Sequence, residues 1–481
     1  MTMPRSALAA LLATMVVPLA ACQSAYAQEG MASTPAPAVA SESRSEGKAK
    51  NVILFIGDGM GISTITAARI YAGQKLGRTG EEYVLPFERF DNVALVKTYN
   101  VDAQVPDSAG TATAMHSGRK TNIGFLGIGP EAPRGDCLAG QQHHLPLMGE
   151  QAKARGLAVG VVSTARITHA TPASVYARAT ERDWEADAAI PADQRGLGCD
   201  DIATQLVDFD FDVALGGGTA AFFGAAKGGR RLDADADLPA RWVARTGGTY
   251  VTDASQLSLA PAEKPVLGLF SPSHMTYMAE KQADSTEPTL TDMTREAIQR
   301  LAKDDDGYYL MVESGRIDHG HHAGKAGLAL EEAVEFARAI EWAISNTDAE
   351  ETLIMVTADH SHVFTIAGYP RRGNPILGLV VPPEGGGEDD GDGTGGPTLA
   401  KDGKPYTTLS YANGPGAVTG ERPVPETGVA ATQQALVPTS SETHGGEDVA
   451  LYAHGPGAQK ARGVIEQNVI YDIMAEALGW K

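Results

Sequence analysis

Apolar runs that stop abruptly at glycine or polar residues are the main pattern along this chain. The run NVILFI (51–56) predicts a buried strand, which ends in GDGMG (57–61) and passes into a helical stretch from Ser63. Similar strands are predicted at 157–162, 212–215, 308–313, 352–357 and 449–453. Apolar residues at helical spacing predict a helix over 328–345.

Strands that alternate with helices predict an α/β fold, in which a doubly wound, mainly parallel central sheet is flanked by helices. Ligands bind such sheets at the carboxyl ends of the strands. The main domain is predicted over 51–481, with an interruption at 368–434 that is rich in Gly and Pro. This interruption predicts an inserted loop-rich subdomain, whose acidic tract (384–392) is either a solvated loop or a weak calcium site.

The amino terminus has the pattern of a targeting segment. Arg5 precedes an apolar stretch (7–21) that is too short to span a bilayer comfortably, and small residues follow it. The segment LAAC (19–22) matches a bacterial lipobox that would lipidate Cys22, whereas AYA (25–27) matches an ordinary signal-peptidase site. Either alternative predicts an exported bacterial protein, periplasmic or held at the outer membrane by lipid. The predicted signal peptide is 1–27, and 28–50 is predicted to be a flexible tether.

The overall charge restricts the partners. The chain has 39 basic and 60 acidic residues, for a formal net charge of −21. Such a charge argues against nucleic-acid binding and against docking on anionic lipid. An anionic substrate would meet repulsion, so a site that binds one must be locally positive, and metal ions are a direct way to make it so.

The run PDSAGTATAMH (106–116) places Ser108 after an aspartate, at the start of a helix of small residues. Unpaired backbone N–H groups and the positive end of the helix dipole meet there, which suits an oxyanion or a phosphate. The alternative is that Ser108 only caps the helix.

Metal-ligating side chains concentrate just after the predicted strands, and each alone has a structural alternative as a helix cap or a core residue. Carboxylates with imidazoles suit zinc, and an all-oxygen set suits magnesium. Asp318 and His322 stand four apart, which puts both on one side of a helix. The side chains are Asp58, His169, Thr171, Glu313, Asp318, His319, His321, His322, Asp359, His360, His362 and His444.

Taken together, the motifs FIGDGMG, PDSAGTATA, VESGRIDHGHH, TADHSHVF and ETHGGEDV resemble those of the alkaline phosphatase family. The resemblance covers the chain from about Asn51 to its end. Histidine at 169 and at 319 makes the chain similar to the animal-type enzymes.

The resemblance implies two zinc ions and one magnesium ion. It implies Asp318, His322 and His444 for the first zinc; Asp58, Asp359 and His360 for the second; and Asp58, Thr171 and Glu313 for magnesium. It implies Ser108 as nucleophile and Arg182 as the group that grips phosphate, with Asp107 holding Arg182. His169, His319 and His362 would orient ligands or bound water.

Other implied features are a homodimer and a crown-like role for the 368–434 insertion. Cys137 and Cys199 are an even pair in an oxidising compartment, with two buried free thiols as the alternative, and the resemblance implies a disulfide between them. Ser271 stands where the family's extra calcium site has a glutamate, although Asp284 is retained, so a fourth metal site is not predicted.

The predicted function is therefore hydrolysis of small phosphate monoesters through a phosphoseryl intermediate on Ser108. A phosphodiesterase or sulfatase is the nearest rival, but no C/S-x-P-x-R motif surrounds Ser108. An exported metal- or phosphate-binding protein without turnover would have no need of a serine there.

Overall fold

The structure is a computed structural model that describes residues 48–384 and 396–481. These residues belong to one compact unit, Ser45–Lys481. The predicted signal peptide, the Cys22 lipidation site, most of the tether and most of the acidic tract lie outside the described residues and stay predictions. No helix within the described residues is long and apolar enough to cross a membrane.

A large sheet forms the centre of the molecule. Its ten strands are β1 (Asn51–Gly57), β2 (Asn92–Lys97), β3 (Ala158–Arg166), β4 (Val213–Gly217), β5 (Thr249–Val251), β6 (Val266–Leu269), β7 (Tyr308–Ser314), β8 (Thr352–Ala358), β14 (Val449–His454) and β15 (Gly463–Glu466). They run in the order β15-β2-β14-β8-β1-β7-β3-β4-β6-β5. Of these, β14 alone runs against its neighbours, β2 and β8.

The mainly parallel α/β fold is confirmed, and all six predicted strands are present. Strand β1 lies between β7 and β8 and is buried almost throughout, which explains its unbroken apolar run. The sequence analysis did not identify β2, β5, β6 and β15. Strands β5 and β6 are three and four residues long, and β2 and β15 are partly exposed, so none has a long apolar run.

Helices flank the sheet and bury their apolar sides against it. The longest helix, α11 (Ala326–Asn346), packs on β1. There, Phe336 contacts Phe55 edge-on at a ring distance of 5.9 Å. The helices are α1 (Ile62–Lys75), α2 (Ser108–Ser117), α3 (Cys137–Gln141), α4 (Met148–Lys153), α5 (Ala170–Ala173), α6 (Ile202–Asp208), α7 (Leu238–Thr246), α8 (Ala254–Leu259), α9 (Leu290–Leu301), α10 (Arg316–His322), α11 (Ala326–Asn346) and α12 (Val469–Ala477). Short 3-10 turns lie at Pro86–Arg89, Asp187–Ala189, Thr219–Ala221, Ala225–Lys227 and Ala458–Lys460.

A second, small sheet lies at the predicted insertion. It consists of β10 (Phe364–Ile366), β11 (Leu409–Gly414) and β12 (Ala435–Pro438), in that order. A further two-stranded pairing joins β9 (Ser361–His362) to β13 (His444–Gly445) and brings two histidine-bearing segments side by side. The crown-like assignment of 368–434 stays a prediction.

One buried carboxyl on α11 gives the fold a pH dependence. Burial raises the pKa of Glu332 to about 7, and its Oε1 accepts a hydrogen bond from the Met278 backbone N–H at 2.6 Å. Because the folded pKa lies above the unfolded one, this group stabilises the fold fully at pH below about 4 and loses that contribution as the pH rises through 7.

We therefore expect Glu332→Gln to reduce the fall in stability between pH 5 and pH 8. The difference between wild type and variant should reach about 3 kcal/mol over that range, since one pKa unit is about 1.4 kcal/mol. Denaturant unfolding at several pH values measures it. Parallel pH profiles for the two proteins would contradict the assignment.

Candidate active site

The predicted ligands meet at one edge of the sheet because three strand ends lie in register. Gly57 of β1 pairs with Ser314 of β7 on one side and with Ala358 of β8 on the other. Asp58 and Asp359 therefore leave their strands at the same level, and both are fully buried. Glu313 precedes Ser314, lies opposite Ser163 of β3 and accepts a short hydrogen bond from the Ser163 hydroxyl.

Three histidines have their ring orientation set by backbone carbonyls. A carbonyl only accepts hydrogen bonds, so the Nδ1 that faces it must carry the proton, and Nε2 keeps its lone pair. The Nδ1 atoms lie 2.6 Å from the Glu442 O for His322, 3.2 Å from the Ser361 O for His360, and 2.8 Å from the Pro106 O for His444. These three residues are the histidines predicted to bind zinc.

The first group of ligands surrounds Asp318 on α10. Its Oδ1 lies 3.2 Å from His322 Nε2 and 3.4 Å from His444 Nε2. The two Nε2 atoms are themselves 3.1 Å apart. The three side chains predicted for the first zinc are thus brought together.

His362 belongs to the same group but differs from its neighbours. Its Nε2 lies 2.9 Å from Asp318 Oδ1 and its Nδ1 lies 2.5 Å from Glu442 Oε2. Burial lowers its pKa, but the two carboxylates outweigh burial and raise it to about 9. Carboxylate oxygens thus face both of its ring nitrogens, and this geometry favours the orienting role that the family resemblance implies.

The second group combines Asp58, Asp359 and His360. His360 Nε2 lies 3.3 Å from Asp58 Oδ1 and 3.3 Å from Asp359 Oδ2. The other oxygen of Asp359 accepts hydrogen bonds from the backbone N–H groups of Gly59 and His360, both at 2.9 Å. Asp318 also approaches this group, so the first and second groups are neighbours.

The third group shares Asp58 with the second. Ligand atoms of Asp58, Glu313 and His169 lie within 4.8 Å of one another. Thr171, on the short helix α5 directly after His169, is fully buried. A histidine nitrogen therefore lies beside the oxygen ligands predicted for magnesium.

Ser108 is the first residue of α2 and is buried beside the second group. Its Oγ lies 3.1 Å from His360 Nε2 and 3.4 Å from Asp58 Oδ1. The cap of the helix is Asp107, whose Oδ1 accepts from the Gly110 N–H at 3.0 Å. Ser108 is therefore not needed as the cap, and the capping alternative is wrong.

Arg182 is held from two sides. Its Nη1 donates to Asp107 Oδ2 at 3.2 Å, and its Nη2 lies 3.0 Å from His169 Nε2. Its backbone N–H donates to Gly124 O at 2.8 Å, and the Gly124 N–H donates to the same Asp107 oxygen. The predicted contact between Asp107 and Arg182 is present, and it ties the guanidinium to the residue before Ser108.

Charge is concentrated on the carboxylates of the site. Burial, followed by repulsion from Asp359 and Asp318, raises the pKa of Asp58 well above its ordinary value. Burial likewise raises the pKa of Glu313 to about 7. Bringing these groups together without cations favours their protonation, so the protein alone does not stabilise the ionised cluster.

The polar atoms of the site fit divalent cations. Buried polar atoms nearly always have a hydrogen-bond partner, but four oxygens here have none among the described residues. They are Asp58 Oδ2, Asp359 Oδ2, Glu313 Oε1 and Thr171 Oγ1. All four belong to predicted metal ligands, and the carboxylate–imidazole composition suits zinc in the first two groups.

Two residues near the site were missed by the sequence analysis. Glu442 holds His362 through its carboxylate and His322 through its carbonyl, and its only sequence signal is its position two residues before His444. The ring of His274 contacts that of His319 in a tilted arrangement at a ring distance of 4.0 Å and lies 5.4 Å from the ring of His169. It follows a short strand that was not predicted, so no motif marked it.

Cys137 and Cys199 form the predicted disulfide, across a separation of 62 residues. The closed loop contains His169, Thr171 and Arg182. Trp184 and Ile190 pack against the bridge in a small buried cluster. The disulfide therefore constrains the segment that carries the predicted phosphate-gripping arginine.

Comparisons with known proteins agree over almost the whole chain. A family model described as alkaline phosphatase matches residues 49–480. Tissue-nonspecific alkaline phosphatase of Gallus gallus is 44% identical over 458 residues, which cover 89% of this chain and 84% of that protein.

Solved structures show the same fold. Thermus thermophilus alkaline phosphatase has a TM-score of 0.66 at 25% identity, covering 90% of this chain and 92% of that one. A mutant of TAB5 alkaline phosphatase, in which one histidine is replaced by aspartate, has a TM-score of 0.63 at 25% identity and covers 90% of this chain and 99% of that one. That mutant is described with magnesium bound in one of its metal sites.

Because Asp58 faces both the second and the third group, its removal should disturb both. We expect Asp58→Ala to lose about two ions per chain and Glu313→Gln about one, relative to wild type, since each group needs its full donor set. Elemental analysis after dialysis against buffer of fixed zinc and magnesium concentration measures this. Glu332→Gln, a buried carboxyl outside the three groups, is the control and should keep the wild-type content. Wild-type metal content in Asp58→Ala would contradict the shared-ligand assignment.

Proposed function

This chain belongs to the alkaline phosphatase family, and from that premise we propose that it hydrolyses phosphate monoesters through a covalent phosphoserine on Ser108. The family is one of phosphomonoester hydrolases, so the class of the enzyme follows from membership. The specific mechanism, the ions and the role of each residue are the proposal. The observation that carries it is the buried Ser108 hydroxyl, set against His360 and Asp58 at a helix start.

Ser108 is poised to lose its proton and attack. The His360 Nδ1–H donates to the Ser361 carbonyl, so the lone pair of Nε2 is directed toward the second group and the Ser108 hydroxyl, 3.1 Å away. The N-terminal end of α2 adds a positive dipole at the serine. The helix dipole and a cation held by Asp58, Asp359 and His360 would both favour the serine alkoxide, which is a far better nucleophile than the hydroxyl.

Arg182 would bind two non-bridging oxygens of the phosphate, a bidentate contact that suits a guanidinium. The Asp107 carboxylate and the His169 ring keep the guanidinium in place before substrate arrives. The salt bridge to Asp107 uses Nη1 at a moderate 3.2 Å, so further N–H groups stay available to an incoming anion. Arg182 thus supplies positive charge locally, in a chain with a net charge of −21.

The cations would be held as the resemblance implies. Asp318, His322 and His444 would hold one zinc; Asp58, Asp359 and His360 the second; and Asp58, Thr171 and Glu313 a magnesium ion. When bound, such ions act as Lewis acids that stabilise the anionic oxygens of nucleophile, phosphate and leaving group. The unpartnered oxygens of Asp58, Asp359, Glu313 and Thr171 support this assignment.

The reaction proceeds in two displacements at phosphorus. In the first, the Ser108 oxygen forms a bond to phosphorus while the bond from phosphorus to the ester oxygen breaks, and the alcohol leaves. In the second, a water oxygen attacks the phosphoserine, the bond to the Ser108 oxygen breaks, and inorganic phosphate is released. Arg182 remains on the same phosphate oxygens throughout and stabilises their charge in both transition states.

Replacing the nucleophile separates chemistry from metal binding. We expect Ser108→Ala to lower kcat on p-nitrophenyl phosphate by at least about 10⁴-fold, because no other hydroxyl can form the intermediate. Zinc and magnesium content should stay near the wild-type value in elemental analysis. Wild-type turnover in the variant would exclude Ser108 as nucleophile.

Parallel assays with bis-p-nitrophenyl phosphate and p-nitrophenyl sulfate define the substrate class. The wild-type enzyme should prefer the monoester, because Arg182 and the third group address the extra charge of a terminal phosphate. Preferential turnover of the diester or the sulfate would overturn the monoester assignment.

A substitution at His169 tests which ion the third group binds. His169 contributes nitrogen to an otherwise oxygen-based set, and nitrogen favours zinc over magnesium. We expect His169→Asp to retain more magnesium and less zinc than wild type after dialysis against both ions. Measurement of both metals in the same sample checks this, and an unchanged ratio would show that His169 does not influence the third ion.

The homodimer, the export route and the lipid on Cys22 are further parts of the proposal. They rest on the family resemblance and on the leader sequence. Sedimentation of the purified enzyme and mass spectrometry of its mature amino terminus test them independently of activity.

A further inference from the structure

Glu185 is a buried acid outside the three ligand groups, and it collects an unusual number of donors. It is 4% exposed. Its carboxylate accepts from Arg166 Nε at 2.8 Å and Nη2 at 2.6 Å, and from the Thr168 hydroxyl at 2.5 Å. Arg230 lies 3.4 Å away. Burial raises its pKa, but Arg166, Thr168 and Arg230 together lower it below the ordinary value, so the group is ionised.

These contacts join two segments that hold Arg182 from opposite directions. Arg166 is the last residue of β3, and Thr168 lies immediately before His169, whose ring contacts Arg182 Nη2 at 3.0 Å. Glu185 itself lies three residues after Arg182. The Arg166–Glu185 pair therefore fixes the spacing between the His169 ring and the segment that carries the guanidinium.

The same short segment is anchored on its other side by the disulfide. Trp184 packs in the buried cluster with Cys137, and its carbonyl accepts from the Ile202 N–H at 2.9 Å. The Glu185 carbonyl accepts from the Ala203 N–H at 3.2 Å. The backbone beyond Arg182 is thus fixed by covalent and hydrogen-bonded neighbours, while the carboxylate of Glu185 points back to β3.

We propose that Glu185 is a positioning residue for substrate phosphate: through its fork with Arg166 it holds the 166–169 segment against the 182–185 segment, and so sets Arg182 between Asp107 and His169. The inference rests on the proposed role of Arg182 in phosphate binding. Glu185 does not touch the substrate and acts through Arg182 alone. Its charge matters because it offsets Arg166 and Arg230, which would otherwise repel Arg182 and each other.

The test is a double-mutant cycle between Glu185 and Arg182 in the metal-loaded enzyme. Glu185→Gln keeps the volume but loses the charge and one acceptor, so the fork with Arg166 weakens. We expect the Ki for inorganic phosphate and the KM for p-nitrophenyl phosphate to rise about tenfold, because a small displacement of a binding group has a large effect. Zinc and magnesium content should not change, since no ligand group includes Glu185.

In the Arg182→Ala background, Glu185→Gln should change Ki and KM by less than about twofold, because interacting positions are not additive. A full tenfold effect there would show that Glu185 acts independently of Arg182 and would overturn the inference. If Glu185→Gln folds poorly, Arg166→Lys replaces it in the test. Arg166→Lys keeps the positive charge but lacks the planar fork, and it should raise Ki and KM as expected for Glu185→Gln.

Glu150→Gln is the matched control. Glu150 forms a similar two-pronged pair with Arg178, at 2.5 Å for each hydrogen bond, and makes no contact with Arg182. It should leave Ki within about twofold of wild type. If Arg182→Ala itself leaves Ki unchanged, the proposed phosphate-binding role of Arg182 fails. If Arg182→Ala raises Ki and neither Glu185→Gln nor Arg166→Lys does, only the positioning role of Glu185 fails.

Discussion

Mutual repulsion among buried carboxylates is the constraint on which this structure depends. Asp58, Glu313, Asp318 and Asp359 are all almost fully buried at one sheet edge. Isolated buried charges are strongly unfavourable, so these groups are either protonated or neutralised by partners of opposite charge. The rigid register of β1, β7 and β8 keeps them from moving apart. The apolar core beneath them thus maintains a local concentration of negative charge that only cations can fully compensate.

Backbone carbonyls set the orientation of three imidazole rings around this cluster. The carbonyls of Glu442, Ser361 and Pro106 each take a proton-bearing Nδ1, and so three Nε2 atoms face inward. The Pro106 contact links His444, a proposed metal ligand, to the start of α2, which carries Ser108. Asp107, the next residue, caps that helix with one oxygen and holds Arg182 with the other. One continuous set of contacts therefore places the proposed nucleophile, the proposed anion-binding arginine and a proposed metal ligand.

Much of the fold and site could be predicted because the relevant signals are local. The run of NVILFI and its counterparts identify central strands, since a strand buried on both faces needs an unbroken apolar sequence. The predicted metal ligands follow those strands directly. Strand β2 could not be identified, because its apolar run is only four residues long and one of its faces, with Val93 and Leu95, is exposed. Glu442 and Glu185 could not be identified either, since their importance comes from donors that approach across 80 and 19 residues.

The order of the strands has a consequence for how the chain folds. β14, formed by residues near the carboxyl terminus, lies between β8 and β2, so β2 has no neighbour linking it to β8 until β14 is in place. A chain that is still being synthesised cannot close this sheet, because long-range pairings form only when both partners are available. His444, on the segment just before β14, arrives equally late. Assembly of the sheet edge that carries the proposed metal ligands is thereby coupled to synthesis of the late strands of the chain.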